Sequence, residues 1–327
     1  MNNLRLFSTV WGASGVQNFF GQGWTYHEKL RRWFPRGFDF TGMTFVAKTT
    51  TFEPREGNMP LNENLINAEA MPKCIVVTPW SFIRGAALNA VGLSGPGLET
   101  LLRHNEWQRR TQPFFISFAA QGKTQAEKTA DALRFTAMLN RRLWSFNTVV
   151  GLQLNISCPN TSEGTRDIST LVDEAFALLD VLFALRIPIV VKLNVLMPPI
   201  AAKRITAHPA CAGICVSNTI PWEVLPSVSI SRRLLFGSNV SPLIKRGFAQ
   251  SGGLSGKPLL PLVIRWVREA RNAGIIKPIN AGGGILTPKN AYALKNAGAS
   301  GISLGSIAFL RPWNVQPTIQ LAHTIFK

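Results

Sequence analysis

Short runs of consecutive apolar, often β-branched residues alternate with longer stretches of helical periodicity along most of the chain. The runs are Thr44–Ala47, Phe114–Phe118, Val149–Leu154, Ile187–Leu193, Gly213–Ser217, Pro278–Asn280 and Gly301–Leu304. Strands covered on both faces read as continuous apolar runs, so this pattern predicts a parallel sheet under helices. The segments Thr124–Asn140 and Ile168–Ala184 carry apolar residues at helical spacing, the second through Leu171, Val172, Ala175, Leu178, Leu179 and Leu182. Pro261–Ala273 and Thr287–Ala297 follow, the last with Thr287 placed to cap the helix and Pro288 at its first position. Roughly eight strand–helix units predict an α/β fold, a closed (β/α)8 TIM barrel, as a single domain over residues 1–327 without internal repeats. Two stretches lack any period: Glu53–Ser81, rich in Pro, Asn and Glu, and Pro221–Gly253, which is basic. They read as inserted loops, and insertions after barrel strands gather at the C-terminal rim, where active sites form.

Composition adds a charge problem. Of 327 residues 46% are hydrophobic and only 16% charged, yet 35 Lys+Arg against 17 Asp+Glu leave a net charge of +18. Such a balance suits nucleic acid, an anionic membrane surface or small anionic ligands. The basic runs, at Lys29–Arg32, Arg141-Arg142 and Arg232-Arg233, are short and scattered, which argues against nucleic acid. The spacing of Cys74, Cys158, Cys211 and Cys215 fits neither a paired zinc site nor a disulfide scaffold. No metal is expected, Cys211 and Cys215 read as buried thiols, and free thiols fit a reducing compartment. The N-terminus lacks the layout of a secretory leader and no apolar run approaches about 18 residues, so a cytoplasmic protein without a membrane span is expected.

Three features carry chemistry. Gly282-Gly283-Gly284-Ile285 follows one strand and opens a helix, and the strand Gly301–Leu304 runs into Gly305-Ser306. Glycines let backbone N–H groups approach a phosphate, and the loops after the last two strands are where barrels usually hold one. Lys48 and Lys192 each end a buried strand, where an ammonium must meet something anionic or polar. Asn155-Ile156-Ser157-Cys158-Pro159-Asn160 follows the strand Val149–Leu154 and brackets a thiol with two amides. Amides suit a ring of alternating C=O and N–H groups, and a rim cysteine of suitable pKa can accept a proton.

The last of these, Asn-x-Ser-Cys-Pro-Asn, resembles the base loop of the dihydroorotate dehydrogenases. Further segments resemble that family in its own order: Ala13-Ser14-Gly15, Ala47–Thr51 through Pro54–Asn58, Asn89–Leu93, Val191–Leu193, Ser217–Thr219, Gly252–Gly256 and Gly283–Ile285, spanning roughly residues 10 to 313. The resemblance implies an FMN-dependent oxidoreductase converting dihydroorotate to orotate in pyrimidine synthesis. Cys158 would remove the C5 proton while C6 gives hydride to the flavin N5. Lys48 would touch flavin and substrate, and Asn89, Asn155, Asn160, Asn218 and Thr219 would hold the pyrimidine with backbone help from Val91, Gly92 and Leu93. Ser14, Thr49, Ser117, Asn155 and Ser217 would line the flavin, with Lys192 near its N1–C2=O edge. Gly253, Gly283, Gly284, Gly305 and Ser306 would hold FMN, mainly at its phosphate.

A cysteine base resembles the soluble class 1 enzymes, whose relatives are homodimers or dimer-based complexes. Gly252–Gly256 and Ala308-Phe309 resemble the branch that pairs with an iron–sulfur flavoprotein subunit. Gly95 replaces the family's usual asparagine, the stretch from Met59 to Arg84 is longer than usual, and the loop after Asn160 is short. These departures keep open a related FMN barrel acting on another dihydropyrimidine or an enone.

Overall fold

The computed structural model describes residues 4–65, 69, 71–156 and 168–327. Its strands are β1 (Val10–Gly12), β2 (Ile75–Val76), β3 (Ala86–Asn89), β4 (Phe114–Phe118), β5 (Val150–Asn155), β6 (Ile189–Leu193), β7 (Cys211–Val216), β8 (Ile220–Pro221), β9 (Gly253–Gly256), β10 (Ile279–Gly282) and β11 (Gly301–Leu304). Seven of them pair in parallel in the order β1-β11-β10-β7-β6-β5-β4. Residues 44–50 fill the gap between the two edges, with parallel bridges from Thr44 to Trp11, Val46 to Phe115 and Thr50 to Phe118. Gly12 N donates to Thr44 O and Ala47 N to Phe115 O, each at 2.9 Å, so the barrel closes through eight parallel segments. The expected strand Thr44–Ala47 is therefore a run of single bridges, and β1, three residues long, adds a barrel member that the apolar pattern does not reveal.

Alternation along the strands sets what lies inside the barrel. Phe7, Trp11, Val46, Phe115 and Val190 pack its lower half, with Phe7 stacked on Phe115 at 4.2 Å. A Cβ at Gly151 would lie 2.4 Å from the Phe115 ring, so only glycine leaves that ring its place. Two residues further up the same strands, Ser117, Gln153, Lys192 and Cys215 replace the apolar layer with polar groups. The outward positions, among them Phe114, Ile116, Leu152, Leu154, Ile189 and Val191, join the helices in one large core. Burying each such side chain contributes about 1.5–3 kcal/mol.

The helices match the periodicity. Gln125–Asn140 starts at a capping box in which Thr124 Oγ1 accepts from Glu127 N at 3.2 Å and Glu127 Oε2 accepts from Thr124 N at 3.0 Å. Ile168–Leu182 packs beside it, and the buried pair Lys128–Glu174, at 3.0 Å, ties the two together. Pro288–Asn296 begins where the Thr287-Pro288 pair predicts.

The two inserted stretches are more ordered than their sequence suggests. They border a four-stranded antiparallel sheet, β2-β3-β9-β8, beside the barrel rim: β2 lies within the first, β8 and β9 flank the second, and β3 lies outside both. β3 and β9 pair over Ala86–Asn89 and Gly253–Gly256. At Gly256, φ is +105° and a Cβ would sit 2.1 Å from Gly85 O, so the close approach of the two strands requires glycine. Strands of two to four residues give no readable alternation.

Helix Thr25–Trp33 follows β1 and carries His27 into a ring of Tyr26, Phe38 and Phe40, with centroids at 4.6, 5.0 and 5.8 Å. Neither ring nitrogen of His27 has a hydrogen-bond partner among the described residues. Burial, helped by the nearby Arg31 charge, lowers its pKa to about 3 from the ordinary 6.5. The unfolded chain therefore takes up a proton that the folded protein refuses. Stability is full above about pH 6.5 and is lost as pH falls towards 3. His27→Leu is expected to flatten the fall in unfolding temperature between pH 7 and pH 4, compared by thermal melts. An unchanged slope would take His27 out of the acid response.

Candidate active site

The C-terminal ends of the barrel strands, together with β3 and β9, enclose a cavity of about 280 Å3. Sixteen expected site residues line it: Ser14, Lys48, Thr49, Asn89, Val91, Gly92, Leu93, Asn155, Lys192, Ser217, Asn218, Thr219, Gly283, Gly284, Gly305 and Ser306. Ser117 stands one layer below, its Oγ 2.9 Å from Thr49 Oγ1. Gly253 stands behind Asn89, accepting from its Nδ2 at 3.4 Å. Cys158 and Asn160 lie outside the described residues.

Thr49 organises the polar floor. Its Oγ1 lies 2.8 Å from Ser14 Oγ and 2.9 Å from Ser117 Oγ, and accepts from Asn155 Nδ2 at 3.4 Å. Asn218 Nδ2 donates to Asn155 Oδ1 at 3.0 Å, and Asn218 Oδ1 accepts from Thr219 N at 3.1 Å. A chain of hydroxyls and amides thus runs from β1 across the barrel to the end of β7 and orients the amides before any ligand arrives. On the opposite wall, Asn58 Nδ2 donates to Ala90 O at 2.7 Å, and Ser94 Oγ links Met59 N, at 2.9 Å, to Val91 O, at 3.0 Å. These bonds hold the Asn89–Leu93 loop in place.

The cavity's charge has one sign. Lys48 and Lys192 line it, and among the described residues no Asp or Glu does. Lys48 is 6% exposed; its Nζ donates to Ser94 O and lies 5.0 Å over the Phe19 ring. Lys192 stands beside Asn155 on β5 and Cys215 on β7 in the strand register. Cationic groups in a secluded site favour an anion strongly. At the β10 and β11 ends, the backbone N–H groups of Gly284, Ile285, Gly305 and Ser306 have no protein acceptor among the described residues. Glycine turns with open N–H groups form a nest for an anion. Gly283 and Gly284, at φ +101° and +88°, are held in the left-handed region that such a nest needs.

The cavity also holds residues that the motifs do not mark: Gln153, Cys215, Ser303, and an apolar wall of Trp24, Tyr26 and Met59. Cys215 Sγ lies 3.5 Å from Ser303 Oγ, which donates to Asn280 Oδ1. Burial pushes the Cys215 thiol above its ordinary pKa, against the pull of Lys192 and Ser303, so it stays protonated. The described cysteines Cys74, Cys211 and Cys215 are all buried and free, and burial raises Cys74 and Cys211 to about 11. Among the described residues no cluster of His, Cys, Asp or Glu could hold a metal. No helix there is long and apolar enough to cross a membrane.

Fold and cavity together define a (β/α)8 barrel with a cationic, anion-accepting site at its C-terminal rim. The family model for dihydroorotate dehydrogenase matches residues 38–321, and the chain belongs to that family. It is 30% identical to the catalytic subunit of dihydroorotate dehydrogenase B (NAD(+)) of Latilactobacillus sakei, over 82% of this chain and 76% of that one. The subunit of the same name from Cutibacterium acnes is 28% identical over 94% of this chain and 86% of its own. The Eimeria tenella dihydroorotate dehydrogenase, solved with ferulenol, superposes with a TM-score of 0.64 over 96% of this chain and 80% of its own. At 18% identity it supports the barrel fold.

Thr49→Val removes the acceptor and donor that join Ser14, Ser117 and Asn155. Misdirected amides and hydroxyls of this kind cost about 1–2 kcal/mol. The variant is expected to bind FMN about 5- to 30-fold more weakly in fluorescence titration, and unaltered affinity would contradict the hub assignment.

Proposed function

We propose that this protein is an FMN-dependent oxidoreductase that converts dihydroorotate to orotate in pyrimidine synthesis, a class 1 enzyme acting in the cytoplasm. The observation that carries this reading is the cavity lined by two lysines and three asparagines without a described carboxylate. It fits FMN: the open N–H groups of Gly284, Ile285, Gly305 and Ser306 suit its phosphate. Ser14, Thr49, Ser217 and Lys192 would line its ring system, with Ser117 supporting Thr49 and Gly253 supporting Asn89. When bound, FMN supplies hydride acceptance, which no amino-acid side chain offers.

The chain's own residues do the rest. Asn89, Asn155, Asn218 and Thr219, with Asn160 beyond the described residues, would pair with the ring's alternating donors and acceptors. The N–H and C=O groups of Val91, Gly92 and Leu93 would close the other edge. Lys48 would meet the substrate carboxylate and the developing negative charge. Lys192 would favour the reduced, anionic state of its neighbour. Cys158 would accept the C5 proton, the chemistry a cysteine thiolate offers. The names of the bacterial relatives, catalytic subunits of an NAD(+) enzyme, favour a further, electron-transferring subunit; that it is of the iron–sulfur flavoprotein kind, and that the catalytic chains form a homodimer, rests on the family resemblance.

A related reading, oxidation of another dihydropyrimidine or an enone, draws on Gly95. A Cβ there would meet the Phe19 ring at 3.1 Å, so the asparagine usual in the family would need that ring to give by a few tenths of an ångström. Orotate binding, read as a shift of the flavin spectrum, separates the two: no shift favours the other substrate.

Cys158→Ala is expected to retain FMN and lose about 10²- to 10⁴-fold in dihydroorotate oxidation at neutral pH, assayed with a dye acceptor. Unchanged turnover would remove Cys158 from the mechanism.

A further inference from the structure

Lys48 reaches the cavity from a mount built behind the cavity wall. Its backbone N donates to Asn18 O at 2.9 Å. Its Nζ donates to Ser94 O and lies 5.0 Å over the ring of Phe19, the residue after Asn18. Phe19 is fully buried, and its backbone is tied on both sides. Asn18 Oδ1 accepts from Phe19 N at 2.9 Å, and Trp107 Nε1 donates to Phe19 O at 2.7 Å. Asn18, at φ +66°, is itself held through Nδ2, which donates to Gly23 O at 3.2 Å and Leu65 O at 2.8 Å. The ring therefore has anchors of its own and does not depend on Lys48 for its place. Ser94 O is fixed in turn. The Ser94–Gly95 peptide is planar, and Gly95 exchanges both backbone hydrogen bonds with Arg55, each at 2.8 Å. Gly95 also adjoins the ring. Its φ lies outside the left-handed region, and the nearest atom that a Cβ there would meet is Phe19 Cζ, at 3.1 Å. What Gly95 supplies is room for the ring rather than backbone freedom.

We propose that Phe19 is a positioning residue of the active site: its ring holds the Lys48 ammonium against Ser94 O as an uncancelled charge, and Gly95 leaves the ring its place. A carboxylate in the position of the ring would also hold the ammonium, but would neutralise it. The negative face of an aromatic ring attracts a cation, most strongly away from water, and leaves the whole charge to face an anion. Lysine carries its charge on a long flexible stem, and restricting that stem before a ligand arrives removes part of the entropy cost of binding. The ligands that gain are rings bearing a carboxylate, which meet a cation already in place. That choice of ligand rests on the proposed substrate reading, in which Lys48 meets the substrate carboxylate; the hold of Phe19 on Lys48 does not.

The test reads orotate binding to FMN-loaded protein from the shift of the flavin spectrum. Phe19→Leu, which stays apolar but loses the ring, is expected to bind orotate about tenfold more weakly. A meta-difluorinated phenylalanine in place of Phe19 keeps the ring's shape but makes its face less negative, and is expected to weaken orotate about threefold. It also carries the test if Phe19→Leu fails to fold. Gly95→Ala is expected to weaken orotate about two- to fivefold by displacing the ring, and to cost little further in Phe19→Leu, which lacks the Cζ atom. Wild-type affinity in Phe19→Leu would overturn the proposal. So would wild-type affinity with the fluorinated ring, which assigns the ring to packing, and so would full additivity of the two substitutions. The contact itself is read without substrate, by NMR of FMN-loaded protein labelled at its lysines. The Lys48 ε-methylene protons, assigned by their absence in Lys48→Met, are expected to be shifted upfield by the ring and to lose that shift in Phe19→Leu. No upfield shift in wild type would overturn the proposal. A wild type that shows the shift but binds no orotate would contradict the substrate reading and leave the hold of Phe19 on Lys48 standing.

Discussion

The arrangement depends on placing two lysines at a secluded cavity that no described Asp or Glu lines. A buried ammonium is costly unless it meets an anion or well-placed dipoles. Lys48 and Lys192 sit at the upper ends of barrel segments, above an apolar plug built by Phe7, Trp11, Phe115 and Val190. The plug excludes water from below, and the antiparallel sheet borders the site on one side. Between them the lysines' field is screened little, which makes the cavity selective for anions before any particular contact is made.

The polar chain through Thr49 turns that field into recognition. A lysine alone attracts any anion, whereas Asn155 and Asn218, held by bonds to Thr49 and to each other, present donors and acceptors in fixed directions. The open N–H groups at the β10 and β11 ends offer a second anion-accepting point in the same cavity. A site with a cation floor, an amide edge and a phosphate nest matches a phosphorylated cofactor lying beside a small carboxylated ring.

Much of this was legible in the sequence. Long amphipathic helices such as Gln125–Asn140 and Pro288–Asn296 declare themselves by period and caps, and buried barrel strands by unbroken apolar runs. The glycine pairs and strand-end lysines were readable because few residue types serve those positions. β1 was hidden by its length, and residues 44–50 pair by single bridges. The sheet from β2, β3, β8 and β9 is made of strands too short to show alternation, held by pairing over long sequence separations. Gln153 and Ser303 escaped notice, and Cys215 was read only as a buried thiol, because each is a lone polar residue inside an apolar run. Their signal was the two-residue step: Gln153 to Asn155 and Cys215 to Ser217 repeat one inward face.

The central claim, that this cavity binds FMN and passes dihydroorotate's hydride to it, is tested most directly by one rapid-mixing measurement. FMN-loaded protein is mixed anaerobically with L-dihydroorotate while the flavin's visible band is followed. Rapid bleaching is the predicted result. A protein that holds FMN but stays yellow would contradict the substrate assignment, and one that takes up no FMN would contradict the account of the cavity itself.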